Sequence, residues 1–420
     1  MPGNSRPKSQ EELDEQVRKA SDYAGVELVP PSIEGKTDGV EAGKIQETFS
    51  RRYELFLAAL RKTTSVNFEQ EAKMVRAFNN LDRYISSHTQ NAEGRTLREH
   101  QFESLRKLQD FLEKGETEGF FKLPTGYGKT VLFTEFVEAM GLRTLVVVPR
   151  LKLVDQTEEK FDKFAEDIGV GLVTGKKKDF DKKVTIITYE SFVRQVSSGK
   201  IKPEDYDCLI LDEAHRSLTE GRMEAVSKFP NALKIGFTAT PKFNADKQVS
   251  KLLKNEIGSI GLSEAIEDGM LCSVKCMLAK TNVDLRNVEV KNGDYVEADL
   301  LKAINIKSRN KAAVELYKKY FDGQLFMANC VNIEHAKDVA KEFEEGGVSV
   351  AYITSKTPLK GPGGQEEILE NHRKGKIKVL CQVGLLTEGY DEPKVSGCFN
   401  MAPTRSLVVA EQRGGKSFEA

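Results

Sequence analysis

The stretch GFFKLPTGYGKTVLFTEFVEAM, residues 119–140, decides how this chain is read. Its first residues form a short apolar run that reads as a buried strand, and its last ten, VLFTEFVEAM, read as a helix. Between them stands the glycine-rich turn LPTGYGKT, residues 123–130. Such a turn leaves successive backbone N–H groups free to surround phosphate oxygens, and the helix that follows adds favourable partial charge at its N-terminus. Thr125, Gly126, Tyr127, Gly128, Lys129 and Thr130 are therefore candidate nucleotide contacts. Gly126 and Gly128 permit close backbone approach, Lys129 would reach the β and γ phosphates, and the Thr130 hydroxyl would ligate Mg²⁺. Tyr127 reads as loop packing. The general phosphate-loop pattern has glycine where this chain has Leu123, while Gly-Lys-Thr is intact.

Outward from this unit, short apolar runs alternate with helical stretches. They are TLVVVP, VTIITY, DCLILD and LKIGFT, then LFMANCV, VSVAYIT, IKVLCQVG and GCFNMAP. Alternation of this kind implies an α/β chain with parallel sheets and crossover helices. The run LILDEAHRS ends in Asp212 and Glu213. A carboxylate at the tip of a buried strand is where a phosphate-bound Mg²⁺ needs an anionic ligand, a role that falls to Asp212. The turn beyond the strand would let Glu213 lean toward the γ-phosphate and orient or deprotonate the attacking water.

LPTGYGKT, DEAH at 212–215 and TATP at 238–241, in this order, resemble the first RecA-like domain of a DEAH-type superfamily 2 helicase or translocase with a ResIII-type ATP-binding domain, as in restriction-enzyme motor subunits. LREHQ (97–101) resembles the adenine-recognition element, so Arg98 and Gln101 are implied to contact the nucleotide. VVVPRLKLVDQ (146–156) and ITYES (187–191) resemble elements that hold a nucleic-acid strand, which implies that role for Pro149, Arg150 and Thr188. His215, Thr238 and Thr240 are implied to couple nucleotide state to that surface. LFMANCVNIEHAKDVA (325–340) fits the opening of a second RecA-like domain, and VGLLTEGYDEPKVS (383–396) fits the motif in which Thr387 touches nucleic acid and Gly389 and Asp391 face the nucleotide. Gln412 would sense the γ-phosphate.

The resemblance implies two RecA-like parallel-sheet domains in tandem, preceded by a helical N-terminal segment. The expected division is a helical segment over 1–94, an ATP-binding domain over 95–285, a connecting segment over 286–310 and a C-terminal domain over 311–420, incomplete at its end. It implies a nucleic-acid-dependent ATP hydrolase that uses ATP and Mg²⁺, acts on DNA in preference to RNA, and works with a nuclease or specificity subunit on another chain. The last motif departs from the family: Gln412 and Gly415 match, but Lys416 and Glu419 stand at the two arginine positions. A lysine is a compact point charge where arginine presents a planar fork, and glutamate has the wrong sign. An ATP-gated clamp with weak turnover is the alternative this suggests.

Composition bounds these readings. The chain of 420 residues suggests two or three domains at roughly 150 residues each. Its 39% apolar content can fill several cores but not a membrane protein. With 63 Lys and Arg against 64 Asp and Glu, no global field recruits nucleic acid, so any such site is local. The first residues lack an apolar core of a secretory signal, and a cytoplasmic address is the expectation. Cysteines 208, 272, 276, 330, 381 and 398 read as reduced core residues, without zinc-ligand spacing. In the first 94 residues, Phe49, Tyr53, Phe56, Leu57 and Leu60 predict one amphipathic helix, and Met74, Val75, Phe78, Leu81 and Ile85 a second. GKKKDFDKK (175–183) reads as a solvated charged loop, and Tyr189 in ITYES is left open for base stacking.

Overall fold

The computed structural model describes residues 68–90, 97–175, 177–242, 248–273, 277, 279, 281, 283–291, 293–384, 392 and 394–405. The helix expected over Phe49–Leu60, Cys276, Thr387, Gly389, Asp391, Gln412, Lys416 and Glu419 lie outside the described residues. The chain forms two compact units, one built on a seven-stranded sheet and one on a four-stranded sheet.

In the first unit, helix α1 (Phe68–Gln90) buries the predicted face of Met74, Val75, Phe78, Leu81 and Ile85. Among its polar contacts, two reach neighbouring helices. Gln109 of α2 (Glu99–Glu113) donates to Asp82 at 2.6 Å. The Tyr84 hydroxyl donates to the buried Glu135 carboxylate at 2.7 Å. There follow β1 (Glu118–Lys122), α3 (Lys129–Met140), β2 (Thr144–Val148), α4 (Leu151–Phe164), β3 (Val170–Val173), β4 (Val184–Thr188), α5 (Tyr189–Ser197), β5 (Cys208–Asp212), α6 (Glu220–Ser227), β6 (Leu233–Thr238) and β7 (Asn255–Ser259).

The sheet order is β3-β4-β2-β5-β6-β1-β7. The pairs β3–β4, β4–β2, β2–β5 and β5–β6 are parallel, with Val148 opposite Thr188 and Asp212 opposite Phe237. The carboxyl ends of β2, β4, β5 and β6 therefore line one edge. All four strands are buried from end to end, as a parallel sheet covered on both faces requires. That is why they read as continuous apolar runs rather than as alternating ones.

The second unit contains α7 (Leu262–Glu267), the hairpin β8 (Val290–Lys291) and β9 (Asp294–Tyr295), α8 (Glu297–Ile304), α9 (Lys307–Tyr320), β10 (Leu325–Asn329), α10 (Ile333–Glu345), β11 (Val350–Ile353), α11 (Gln365–Arg373), β12 (Val379–Gln382) and β13 (Val395–Asn400). Its sheet has the order β11-β12-β10-β13, every pair parallel. Tyr317 packs edge-on against Phe326 and Phe343, with ring centroids 5.7 and 5.9 Å apart. The stretch read as a connection is itself structured: Val288, Leu300 and Ile304 form a small core with Tyr295 and Val331. Cys208, Cys330 and Cys381 are buried free thiols. No described helix is long and apolar enough to cross a membrane.

His335, in the first turn of α10, is fully buried, and its Nδ1 accepts from the Val331 N–H at 3.2 Å. Burial first, then the nearby Arg309 charge, holds its pKa down to about 4, with Asp338 opposing. The unfolded chain takes up this proton near the ordinary histidine value, before the native state does. The contribution to stability is therefore whole above that value and is lost as pH falls toward 4. Between pH 7 and pH 5 this residue should cost the folded state about 2 kcal/mol. Urea unfolding at both values, with His335→Gln beside the parent, measures it. An equally steep pH dependence in the variant would assign the loss elsewhere.

Candidate nucleotide and nucleic-acid site

The phosphate-loop residues leave β1 and enter α3 at Lys129. Gly126 and Gly128 both stand at φ 86°, in the left-handed region, where a Cβ would be strained. Two such glycines around one residue curl the backbone into a nest of N–H groups suited to an anion. The side chains of Leu123 and Tyr127 are buried, and Leu123 occupies the position where the general pattern has glycine. The Lys129 ammonium rests 3.5 Å from the Leu123 carbonyl oxygen.

At the end of β5 the chain turns sharply. Glu213 adopts φ 47° and ψ 56°, and it is the one non-glycine residue with positive φ among those described. The left-handed conformation costs an L-residue about 1–2 kcal/mol. Surrounding bonds hold it there. The Arg216 N–H donates to the Glu213 carbonyl at 2.8 Å, and the fully buried Tyr189 hydroxyl donates to the Asp212 carbonyl at 2.9 Å. Ser217 donates to the Tyr189 oxygen at 3.1 Å, and the Arg222 guanidinium sits over the Tyr189 ring at 5.2 Å. Burial pushes the Tyr189 phenol far up, so it remains a neutral donor. This corrects the stacking role left open for Tyr189, because a ring with no exposed face cannot meet a base. Sequence reasoning missed this brace. Its signal was an aromatic residue directly after an apolar strand, ahead of the DEAH turn in the chain.

The turn brings Glu213 within reach of the next strand through His215. Asp212 is buried at the tip of β5, and the side chain of Glu213 is 17% exposed. His215 Nδ1 lies 3.0 Å from Thr238 Oγ1 at the end of β6 and 3.4 Å from Glu213 Oε2. Three candidate residues thus meet in one chain of contacts. Thr240 is buried two positions beyond Thr238.

Further along the same edge, Pro149 and Arg150 follow β2, with Arg150 as the N-cap of α4. Thr188 ends the neighbouring β4 and caps α5, its hydroxyl accepting from the Ser191 N–H at 3.4 Å. Parallel pairing makes these residues neighbours. Arg98 is exposed at the start of α2, and its N–H donates to the Gln101 side-chain oxygen at 2.9 Å. The buried Gln101 thus uses its carbonyl oxygen in the helix cap, while its amide group offers two further donors. Among the described residues no three His, Cys, Asp or Glu side chains gather as metal ligands. Thr130 and Asp212 nevertheless suit Mg²⁺, which takes one or two carboxylates and completes its shell with phosphate and water oxygens.

Residues 95–243 match the family described as "Type III restriction enzyme, res subunit". Over this span the chain is similar to a ResIII-type helicase domain of superfamily 2. A Saccharomyces cerevisiae protein named as an ATP-dependent helicase, IRC3, is 24% identical over 343 residues, covering 76% of this chain and 49% of that protein. The DNA 3'-5' translocase XPB2 of Sulfurisphaera tokodaii is 28% identical over 313 residues, covering 66% of this chain and 69% of XPB2. The chain thus spans half to two thirds of these curated relatives. Among solved structures, Saccharomyces cerevisiae Dbp5 bound to RNA and ADP BeF3 aligns with a TM-score of 0.54 at 17% identity, covering 81% of this chain and 86% of Dbp5. That likeness is one of fold: two RecA-like parallel-sheet domains in tandem. The strand edge from Thr188 to Thr238 is where the family likeness and the geometry coincide.

Proposed function

We propose that this chain is a nucleic-acid-dependent ATPase of helicase or translocase type, with DNA as its track. The observation that carries the reading is the shared edge of the first sheet. The carboxyl ends of β4, β2, β5 and β6 present Thr188, Pro149 and Arg150, Asp212 and Glu213, and Thr238 side by side. Hydrolytic carboxylates and strand-holding residues on one rigid edge supply a mechanical path from nucleotide to nucleic acid. The His215–Thr238 bond lies on that path. The DNA preference rests on XPB2 and on the restriction-enzyme family, and the latter favours a nuclease or specificity subunit on another chain.

The chemistry is in-line attack of water on the γ-phosphate of ATP. The loop N–H groups around Gly126 and Gly128 receive phosphate oxygens, and Lys129 neutralises charge on the transferring group. Thr130 and Asp212 would hold Mg²⁺, which neutralises phosphate charge when bound. Glu213 orients the water and accepts its proton, and the left-handed turn fixes that carboxylate before substrate arrives. Pre-paid positioning of this kind is a main source of rate in phosphoryl transfer. A second reading, an ATP-gated clamp with weak turnover, rests on Lys416 and Glu419 at the arginine positions of the last motif.

Steady-state phosphate release from Mg·ATP, alone and with single-stranded DNA, duplex DNA or RNA, tests both. Stimulation by DNA above RNA is expected, and Glu213→Gln should lower turnover about 10²- to 10⁴-fold while nucleotide still binds. Nucleotide-dependent retention of DNA with no turnover above the Glu213→Gln level would favour the clamp. Stimulation by RNA alone would overturn the DNA assignment.

A further inference from the structure

We infer that the outer edge of the second sheet is a docking surface for an acidic, extended segment of another polypeptide, which adds a strand beside β11. Strand β11 is the outermost of its sheet and pairs only with β12 among the described residues. An open edge carries a row of unpaired backbone donors and acceptors. Proteins usually blunt such edges with charges, proline or a bulge. This one has none of these. The run SVAYI, residues 349–353, is uncharged, its register with β12 is unbroken, and Tyr352 is 39% exposed.

Beside the edge lies a groove of about 550 Å³ between α10, β11 and the loop that leads to α11. Its floor is apolar, with Val350 and Ile368 half-buried. Its walls carry Lys337, Lys341 and Lys356 against the single carboxylate of Glu344. Lys337 and Lys356 form no ion pair among the described residues, and Lys341 reaches only Glu345, at 3.9 Å. A groove so charged favours an acidic occupant.

The edge favours a polypeptide over a nucleic-acid strand. A polynucleotide has no ladder of N–H and C=O groups to match a β-strand, whereas an extended peptide pairs with it and sets alternate side chains into the groove. Those side chains would be acidic, toward the three lysines, with aliphatic residues alternating between them.

The test is fluorescence anisotropy with the full chain and a labelled heptapeptide of alternating glutamate and valine. The controls are its lysine–valine counterpart, the same acidic peptide N-methylated throughout, and a single-stranded DNA oligonucleotide. The acidic peptide should bind, and the lysine peptide should not. N-methylation should weaken binding about tenfold or more, because it removes every backbone donor while keeping the charge. Lys337→Glu combined with Lys356→Glu should weaken the acidic peptide by a similar factor, with thermal unfolding showing that this doubly exposed variant still folds. Equal binding of the N-methylated peptide would reduce the groove to a charge patch and overturn strand addition. Displacement of the peptide by DNA, with DNA affinity falling in the lysine variant, would assign the groove to nucleic acid and overturn the proposal. Absence of acidic-peptide binding would overturn it outright.

Discussion

Replacing Lys129 with alanine is expected to cut ATP turnover by about two to three orders of magnitude while the fold survives. Lys129 opens α3, and its ammonium lies 3.5 Å from the Leu123 carbonyl oxygen. Little native stability depends on such a contact, because a long hydrogen bond at a half-buried loop contributes little. What alanine removes is a positive charge placed at the mouth of an N–H nest, where a developing phosphate charge would otherwise be unmatched. Lys129→Arg keeps the charge but changes its shape and reach, so an intermediate loss is expected. Phosphate release and nucleotide binding measured on the same preparations separate the two effects. A turnover within about threefold of the parent, for an alanine variant that unfolds at the same temperature, would remove Lys129 from the chemistry.

Phe133→Ala should destabilise the first unit by about 3–5 kcal/mol. Phe133 projects from α3 and is fully buried. Its ring lies 5.6 Å from Phe237 of β6 and 6.5 Å from Phe161 of α4, and Phe237 stacks on Phe121 of β1 at 5.4 Å. One side chain thus ties the helix that begins with Lys129 and Thr130 to the strand that ends in Thr238. Truncation removes the ring's burial and leaves a cavity among rigid neighbours that cannot collapse. The unfolding temperature should fall by roughly 10 °C or more, and Phe133→Leu should recover more than half of the loss. A shift of only a degree or two in the alanine variant would show that α3 is held by other contacts. The double effect on stability and turnover would distinguish Phe133 from Lys129, which is expected to alter turnover alone.

Much of the architecture was open to reading because the fold is built on parallel sheets. TLVVVP, VTIITY and DCLILD became β2, β4 and β5, each buried on both faces, so burial itself wrote an apolar run into the sequence. The strands that escaped notice, β3 and β7, are the two edges of the seven-stranded sheet. NEIGS, residues 255–259, is half-buried at best and carries no pattern of its own. Its strand state comes from pairing with a neighbour, and pairing is invisible to local propensity. The hairpin of Val290–Lys291 with Asp294–Tyr295 is likewise held by a small core that draws in Val331 from beyond β10.

The sequence alone determined the kinds of groups available and their order along the chain: a glycine-rich turn before a helix, two carboxylates after an apolar strand, a threonine at the end of the next. Those features are local, and each is set by residues within a few positions. Only the tertiary structure decided that Glu213 turns through a left-handed backbone, that His215 meets Thr238, that Tyr189 is a buried brace, and that β11 has an open edge among the described residues. Each of these joins residues distant in sequence or depends on the absence of a neighbour. Such relations arise when parallel strands are brought into register, because the register, not the local pattern, sets which strand ends share an edge.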